Sequence, residues 1–142
     1  MVSFNYNHNS AHVDARFIGD VSQSEIINFI YDLRVCETYP CDLNILIDAT
    51  DGALSIKPNQ LYRIFEENAK MFGKYSSLRV ALVMKRPLDT ALALIYTKIS
   101  NMEDYKYQVF STRSAALVWL HNGCQNDKYT IGSNGPRPNV AR

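Results

Sequence analysis

The run Leu43-Asn44-Ile45-Leu46-Ile47-Asp48-Ala49-Thr50-Asp51-Gly52 ends abruptly in two carboxylates, a hydroxyl and a glycine. Asp48 can accept hydrogen bonds from the backbone amides of its own turn, which aspartate commonly does. To work as a general acid or base it would need a partner at hydrogen-bond reach. No histidine falls in the loops expected around it, because His8 and His12 belong to the opening hairpin and His121 to the end of the last helix. These histidines lack ligand spacing, so no metal site is expected. Ser55, Ser111 and Ser114 lack the Gly-x-Ser-x-Gly elbow of hydrolases. The glycines form no Gly-x-Gly-x-x-Gly phosphate loop, and no cofactor is expected. Cys36, Cys41 and Cys124 are an odd number without a close-set pair, and read as unpaired packing thiols. No catalytic residue is assigned, and the chain is expected not to be an enzyme.

The remaining polar candidates gather if three strands lie parallel, because their carboxyl ends then bring three loops side by side. The first loop offers Asp48, Thr50, Asp51 and Ser55, the second Lys85 and Arg86, and the third Ser111, Thr112 and Arg113. Open α/β sheets place ligands at such ends. Lys85 and Arg86 precede a helix whose free amides carry partial positive charge, which suits an anionic group. Against this, Pro87 removes one donor, and the two basic residues are equally suited to pair with Asp48 or Asp51 or to stand in water. A second use of the same region is an apolar pocket lined by Tyr62, Phe65, Phe72, Tyr75 and Tyr96 with Met71 and Met84. A third is self-association through exposed tyrosines on a twofold interface.

The elements that must position these residues follow from periodicity. Val2 to Asn7 and Ala11 to Ile18 alternate apolar and polar residues around Asn7-His8-Asn9-Ser10, a hairpin signature. Gly19-Asp20-Val21-Ser22 breaks that pattern, and Ser22 or Ser24 caps a helix whose stripe is Ile26, Phe29, Ile30 and Leu33. The helix fades before Pro40. Leu43 to Ile47 reads as a strand buried on both faces. Lys57-Pro58 then opens a helix carrying Leu61, Ile64, Phe65, Ala69 and Phe72. Leu78 to Met84 is the next strand, and Arg86-Pro87 opens a helix with Leu88, Ala91, Leu92, Ile95, Ile99 and Met102 in period. Tyr107 to Phe110 is a short strand, and Ser111 or Thr112 caps a last helix with Ala115, Ala116, Leu117, Trp119 and Leu120. The order is β-β-α-β-α-β-α-β-α, an α/β fold with a mixed five-stranded sheet, packed helices and an antiparallel hairpin at its amino-terminal edge.

At 142 residues, with 46% hydrophobic and 20% charged content, the chain makes one domain with a real core. Residues 1–121 are expected to form it. Residues 122–142, rich in Gly, Asn, Pro and Arg, read as a disordered polar tail. A net charge of +1 with scattered basic residues offers no general attraction to nucleic acid or anionic membrane. The amino terminus lacks the basic start and apolar run of a signal peptide, and no segment approaches a membrane span, so a cytoplasmic location is expected.

The element order, the strand ending Leu46-Ile47-Asp48-Ala49-Thr50-Asp51-Gly52, the strand Val80-Ala81-Leu82-Val83, and the closing Val109-Phe110 followed by Ala116-Leu117-Val118-Trp119-Leu120 together resemble the SpoIIAA-like, or STAS-like, proteins. The resemblance spans residues 2–121, and its motifs are short and mostly structural. It is greatest to a branch of small bacterial proteins grouped with lipid-carrier-like domains of the CRAL-TRIO type. It implies a non-enzymatic domain acting through protein contacts or a small ligand. In the phosphorylated antagonists of that superfamily the loop after the central strand carries Asp-Ser-Ser/Thr-Gly, whose serine a partner kinase phosphorylates. This chain has no serine there; Thr50 and Ser55 are the nearest hydroxyls, and Asp51 beside Thr50 opposes an added phosphate. The expectation is therefore a non-catalytic regulatory or protein-interaction domain, recognising its partner through the helix after the central strand and the loop before it. The alternative is a carrier or sensor of a small apolar or anionic ligand held at the carboxyl ends of the parallel strands.

Overall fold

The computed structural model describes the backbone of residues 1–131 and the side chains of residues 1–122. Two short polar-apolar repeats at the amino terminus form β1 (Val2–Asn7) and β2 (His12–Phe17), paired antiparallel. The turn between them is held by the Asn7 side chain, whose Oδ1 accepts from the amides of Asn9 and Ser10 at 3.0 and 3.2 Å. The continuous apolar runs become β4 (Asp42–Asp48) and β6 (Ser77–Val83), covered on both faces as their composition requires. With β7 (Tyr105–Phe110) they complete a five-stranded sheet of order β1-β2-β4-β6-β7.

Every neighbour in that sheet except the β1–β2 pair is parallel, including β2 against β4. Asp48 is therefore level with Val83, and Val83 with Phe110. The carboxyl ends of β4, β6 and β7 share one edge, as a common rim requires.

A second ribbon departs from expectation. Gly19–Ser22 is not only a break before the first helix, and Gly52–Ser55 is not loop: they are β3 and β5, paired parallel with Gly19 opposite Gly52 and Ser22 opposite Ser55. The reason lies in the backbone. Gly19 at φ +66° redirects the chain leaving β2, and the turn Ala49–Gly52 redirects the chain leaving β4, with the Gly52 amide on the Ala49 carbonyl at 3.1 Å. The two chains bend together and go on pairing. A Cβ on Gly52 would lie 2.5 Å from the Phe17 carbonyl oxygen, so only glycine allows this approach.

Helix α1 (Gln23–Val35) starts in a full capping box, Ser22 with Glu25. Pro58–Gln60 forms a single 3-10 turn ahead of α2 (Leu61–Ala69); α3 (Pro87–Ser100) has proline in its first turn. These three helices cover one sheet face and share its core, which includes Phe29, Leu33, Ile45, Leu78, Val80 and Tyr96. The opposite face carries α4 (Arg113–Ile131), which sets Ala116 and Leu120 on Leu46, Ala81 and Val83. Helix α4 runs on through residues 122–131, the first part of the segment expected to be a tail; residues 132–142 lie outside the described residues.

Candidate functional site

The carboxyl end of β4 holds a charged network on the α4 face. Asp48 is buried, and its Oδ1 accepts from the Thr50 amide at 3.0 Å and the Thr50 hydroxyl at 2.7 Å. Its other oxygen accepts from Arg113 Nη1 at 3.3 Å, while Arg113 Nη2 donates to Asp14 on β2. Arg113 stands at the first position of α4, which lies over β4, β6 and β7, so its guanidinium reaches across β4 to β2. Next to Asp14 is His12, almost wholly buried, with Nε2 4.0 Å from the Asp14 carboxylate. His12 Nε2 and Asp14 Oδ1 are buried without a hydrogen-bond partner among the described residues.

The electrostatics follow from these contacts. Burial pushes the Asp48 carboxyl up, yet the Thr50 and Arg113 hydrogen bonds outweigh it and hold the group below its usual range. At His12 the burial dominates and lowers the pKa below 6.5, against the opposing pull of Asp14. His12 is neutral near pH 7 and Asp48 is charged.

Of the rim residues expected to converge, the network joins Asp48, Thr50 and Arg113. The others are placed differently. The Asp51 side chain is exposed, while its carbonyl accepts from the Gly19 amide at 3.1 Å. Ser55 is exposed at the end of β5. Thr112 caps α4, accepting from the Ala115 amide at 3.3 Å, and Ser111 is exposed beside it. Lys85 is exposed, and Arg86 lies 4.0 Å from Asp89 rather than against Asp48 or Asp51. Asp89 is buried in the first turn of α3 and accepts from the Leu54 amide at 3.2 Å. The negative charge that favours a helix amino terminus is therefore supplied from within the chain. Asp14 and His12 are absent from the expected set, because alternation along a hairpin strand gives no sign that a helix from the far end of the sequence will dock over it.

The opposite sheet face holds a different feature. A cavity of about 90 Å³ lies between the sheet and α1, α2 and α3. Its walls come from Ile45, Ile47, Val80 and Leu82 below and from Phe29, Ile64 and Leu92 above, among others. Helix α2 packs chiefly against α1 and α3 and spans the gap between them, and the void lies beneath it. Three residues of the wall carry polar side-chain atoms, Asn68, Tyr96 and Tyr107, and they turn almost no polar surface to the cavity. Asn68 Nδ2 donates to the Tyr96 hydroxyl, and Tyr96 meets Tyr107 edge-on with centroids 5.5 Å apart. Burial raises the pKa of both tyrosines far above the usual value.

Of the aromatic and sulfur residues expected to line a pocket, Tyr96, Met71 and Met84 do so. Tyr62 is exposed. Phe65 and Phe72 pack edge-on toward Tyr105, and the Tyr75 hydroxyl donates to the Leu33 carbonyl at 2.6 Å. The aliphatic walls escape detection in the sequence, since a residue that lines a void and one that fills a core obey the same periodicity.

The fold is SpoIIAA-like. The chain superposes on an uncharacterized protein from the DUF3478 family with a SpoIIAA-like fold, from Shewanella loihica PV-4, with a TM-score of 0.55 at 14% identity, covering 84% of this chain and 92% of the other. No family model matches the sequence, and no curated protein does. No helix among the described residues is long and apolar enough to cross a membrane.

Proposed function

We propose that this chain is a non-catalytic binding domain whose ligand is a small apolar molecule held between the sheet and α1–α3. The observation that carries the reading is the cavity of about 90 Å³ with aliphatic and aromatic walls. Leaving such a space empty costs on the order of 2 kcal/mol, from about 24 cal/mol per Å³, and an apolar occupant regains part of that. The Asn68 amide and the Tyr96 hydroxyl satisfy each other, so the walls offer a ligand almost no polar surface. A charged headgroup is disfavoured there for the reason that raises the two tyrosine pKa values.

The ligand pocket is thus assigned to the helix-covered interior and not to the carboxyl-end rim. At the rim, Asp48 and Arg113 already satisfy each other, and Asp89 occupies the start of α3. An anionic ligand at Lys85 and Arg86 has less to support it than an apolar one inside. An engineered apolar cavity of about 150 Å³ holds benzene, so the smaller space here suits a slim alkyl chain, with α2 shifting to admit anything longer.

Native mass spectrometry of protein purified from cells tests this. The expected result is a co-purifying mass that organic extraction removes and that an Ala93→Leu variant, filling the cavity from α3, fails to retain. A clean unliganded species from several growth conditions, with no uptake of added n-hexanol or n-decanol, would overturn the reading.

A further inference from the structure

We infer that the outward face of α3 is the contact surface of a twofold homodimer, in which the helix packs antiparallel on its own copy. The helix has two distinct faces. Asp89, Leu92, Ala93, Tyr96, Thr97 and Ser100 are buried against the domain. Leu88, Leu94, Ile95, Ile99 and Met102 point outward and are 38–61% exposed. Isolated exposed apolar residues need no explanation, but five along one side of one helix and its exit turn form a continuous stripe, and such stripes mark contact surfaces.

The charges identify the occupant. Two exposed basic residues, Lys85 and Arg86, precede the helix, and two exposed acidic residues, Glu103 and Asp104, follow it. A twofold axis makes residue i meet residue j and j meet i. The midpoint of Lys85 and Asp104 falls between Leu94 and Ile95, and so does the midpoint of Arg86 and Glu103. Leu88 and Met102, like Ala91 and Ile99, are centred on Ile95. An antiparallel copy crossing at Leu94 and Ile95 therefore sets the basic end of each helix against the acidic end of the other while the aliphatic side chains mesh.

Lys98 is the one charge within the stripe. Its stem can lie along the aliphatic surface with the ammonium at the rim. A lipid surface fits less well, because anionic headgroups that attract Lys85 and Arg86 are repelled by Glu103 and Asp104 at the same depth. The helix has 14 residues, about 21 Å at about 1.5 Å per residue, so the contact is short and association should depend on concentration in the micromolar range.

Light scattering coupled to size exclusion, run from micromolar to submillimolar protein, tests this. The wild type should shift from monomer to dimer, and Ile95→Glu should remain monomeric at all concentrations. Lys85→Glu and Asp104→Lys should each weaken the dimer about tenfold, equivalent to about 1.4 kcal/mol, and the two changes in one chain should bring it back to near the wild-type value. A wild type that stays monomeric throughout would overturn the inference. Failure of the double charge reversal to restore what the single changes lose would do the same. So would a monomeric wild type that sediments with phosphatidylglycerol vesicles through this stripe. None of these outcomes depends on whether the internal cavity binds a ligand.

Discussion

Arg113 carries the electrostatics of the α4 face. One guanidinium serves two carboxylates on neighbouring strands, so its removal strands both Asp14 and Asp48. Arg113→Met should cost about 1–2 kcal/mol in urea denaturation, reduced from the roughly 1.5–3 kcal/mol of hydrogen bonds to charged groups because the side chain is one-third exposed (33%) and partly screened. The pH dependence has two stages with definite signs. His12 has a lowered pKa when folded, so below its usual value of 6.5 the unfolded chain binds more protons and stability falls with acid. Asp48 is also lowered when folded, so its contribution is complete above 3.8 and is lost as pH falls further. The His12→Gln variant should flatten the first stage and leave the second intact, read as denaturation midpoint against pH. Identical profiles for variant and wild type would show that His12 does not set the first stage. The Asp48 turn is readable from sequence because it is local. Asp14 and His12 are not, because their roles come from a residue a hundred positions away in the chain.

The elements whose signal is a continuous apolar run or a helical stripe are legible: β4, β6, α1 and α3 lie close to where periodicity places them. The β3–β5 ribbon is not, because Gly19-Asp20 and Asp51-Gly52 have the composition of turns, and only the parallel neighbour β2–β4 makes the continuation possible. The two glycines in the ribbon are there for different reasons. At Gly19 the constraint is a positive φ, with no heavy atom within 4 Å of where a Cβ would stand, whereas at Gly52 it is a backbone collision at 2.5 Å. Gly52→Ala should therefore cost about 1–3 kcal/mol as an overpacking change, while Gly19→Asn should cost well under about 1 kcal/mol, because asparagine tolerates the left-handed region. Thermal unfolding of the two variants side by side checks the order, and an equal or reversed cost would show that the ribbon is not held as described.

At the scale of the whole molecule, the sheet divides two kinds of interior. The α4 side is a compact layer of Leu46, Ala81, Val83, Ala116 and Leu120 bordered by the charged network. The side under α1, α2 and α3 is larger, more aromatic and incompletely filled. Parallel strand direction and fold class can be inferred from the order of elements, but a void cannot, because it depends on how far a bridging helix stands from the sheet. Filling it should be cheap: Ala93→Leu should leave stability unchanged or raise it by up to about 2 kcal/mol, where the same change in a packed core would cost about 1–3 kcal/mol.

An apolar occupant between the sheet and the three helices is tested most directly by calorimetric titration of n-hexanol into the ligand-stripped wild type and the Ala93→Leu variant. Saturable one-to-one binding to the wild type, with a negative heat-capacity change and no binding to Ala93→Leu, is the predicted result. Equal heats for both proteins, or none for either, would contradict it.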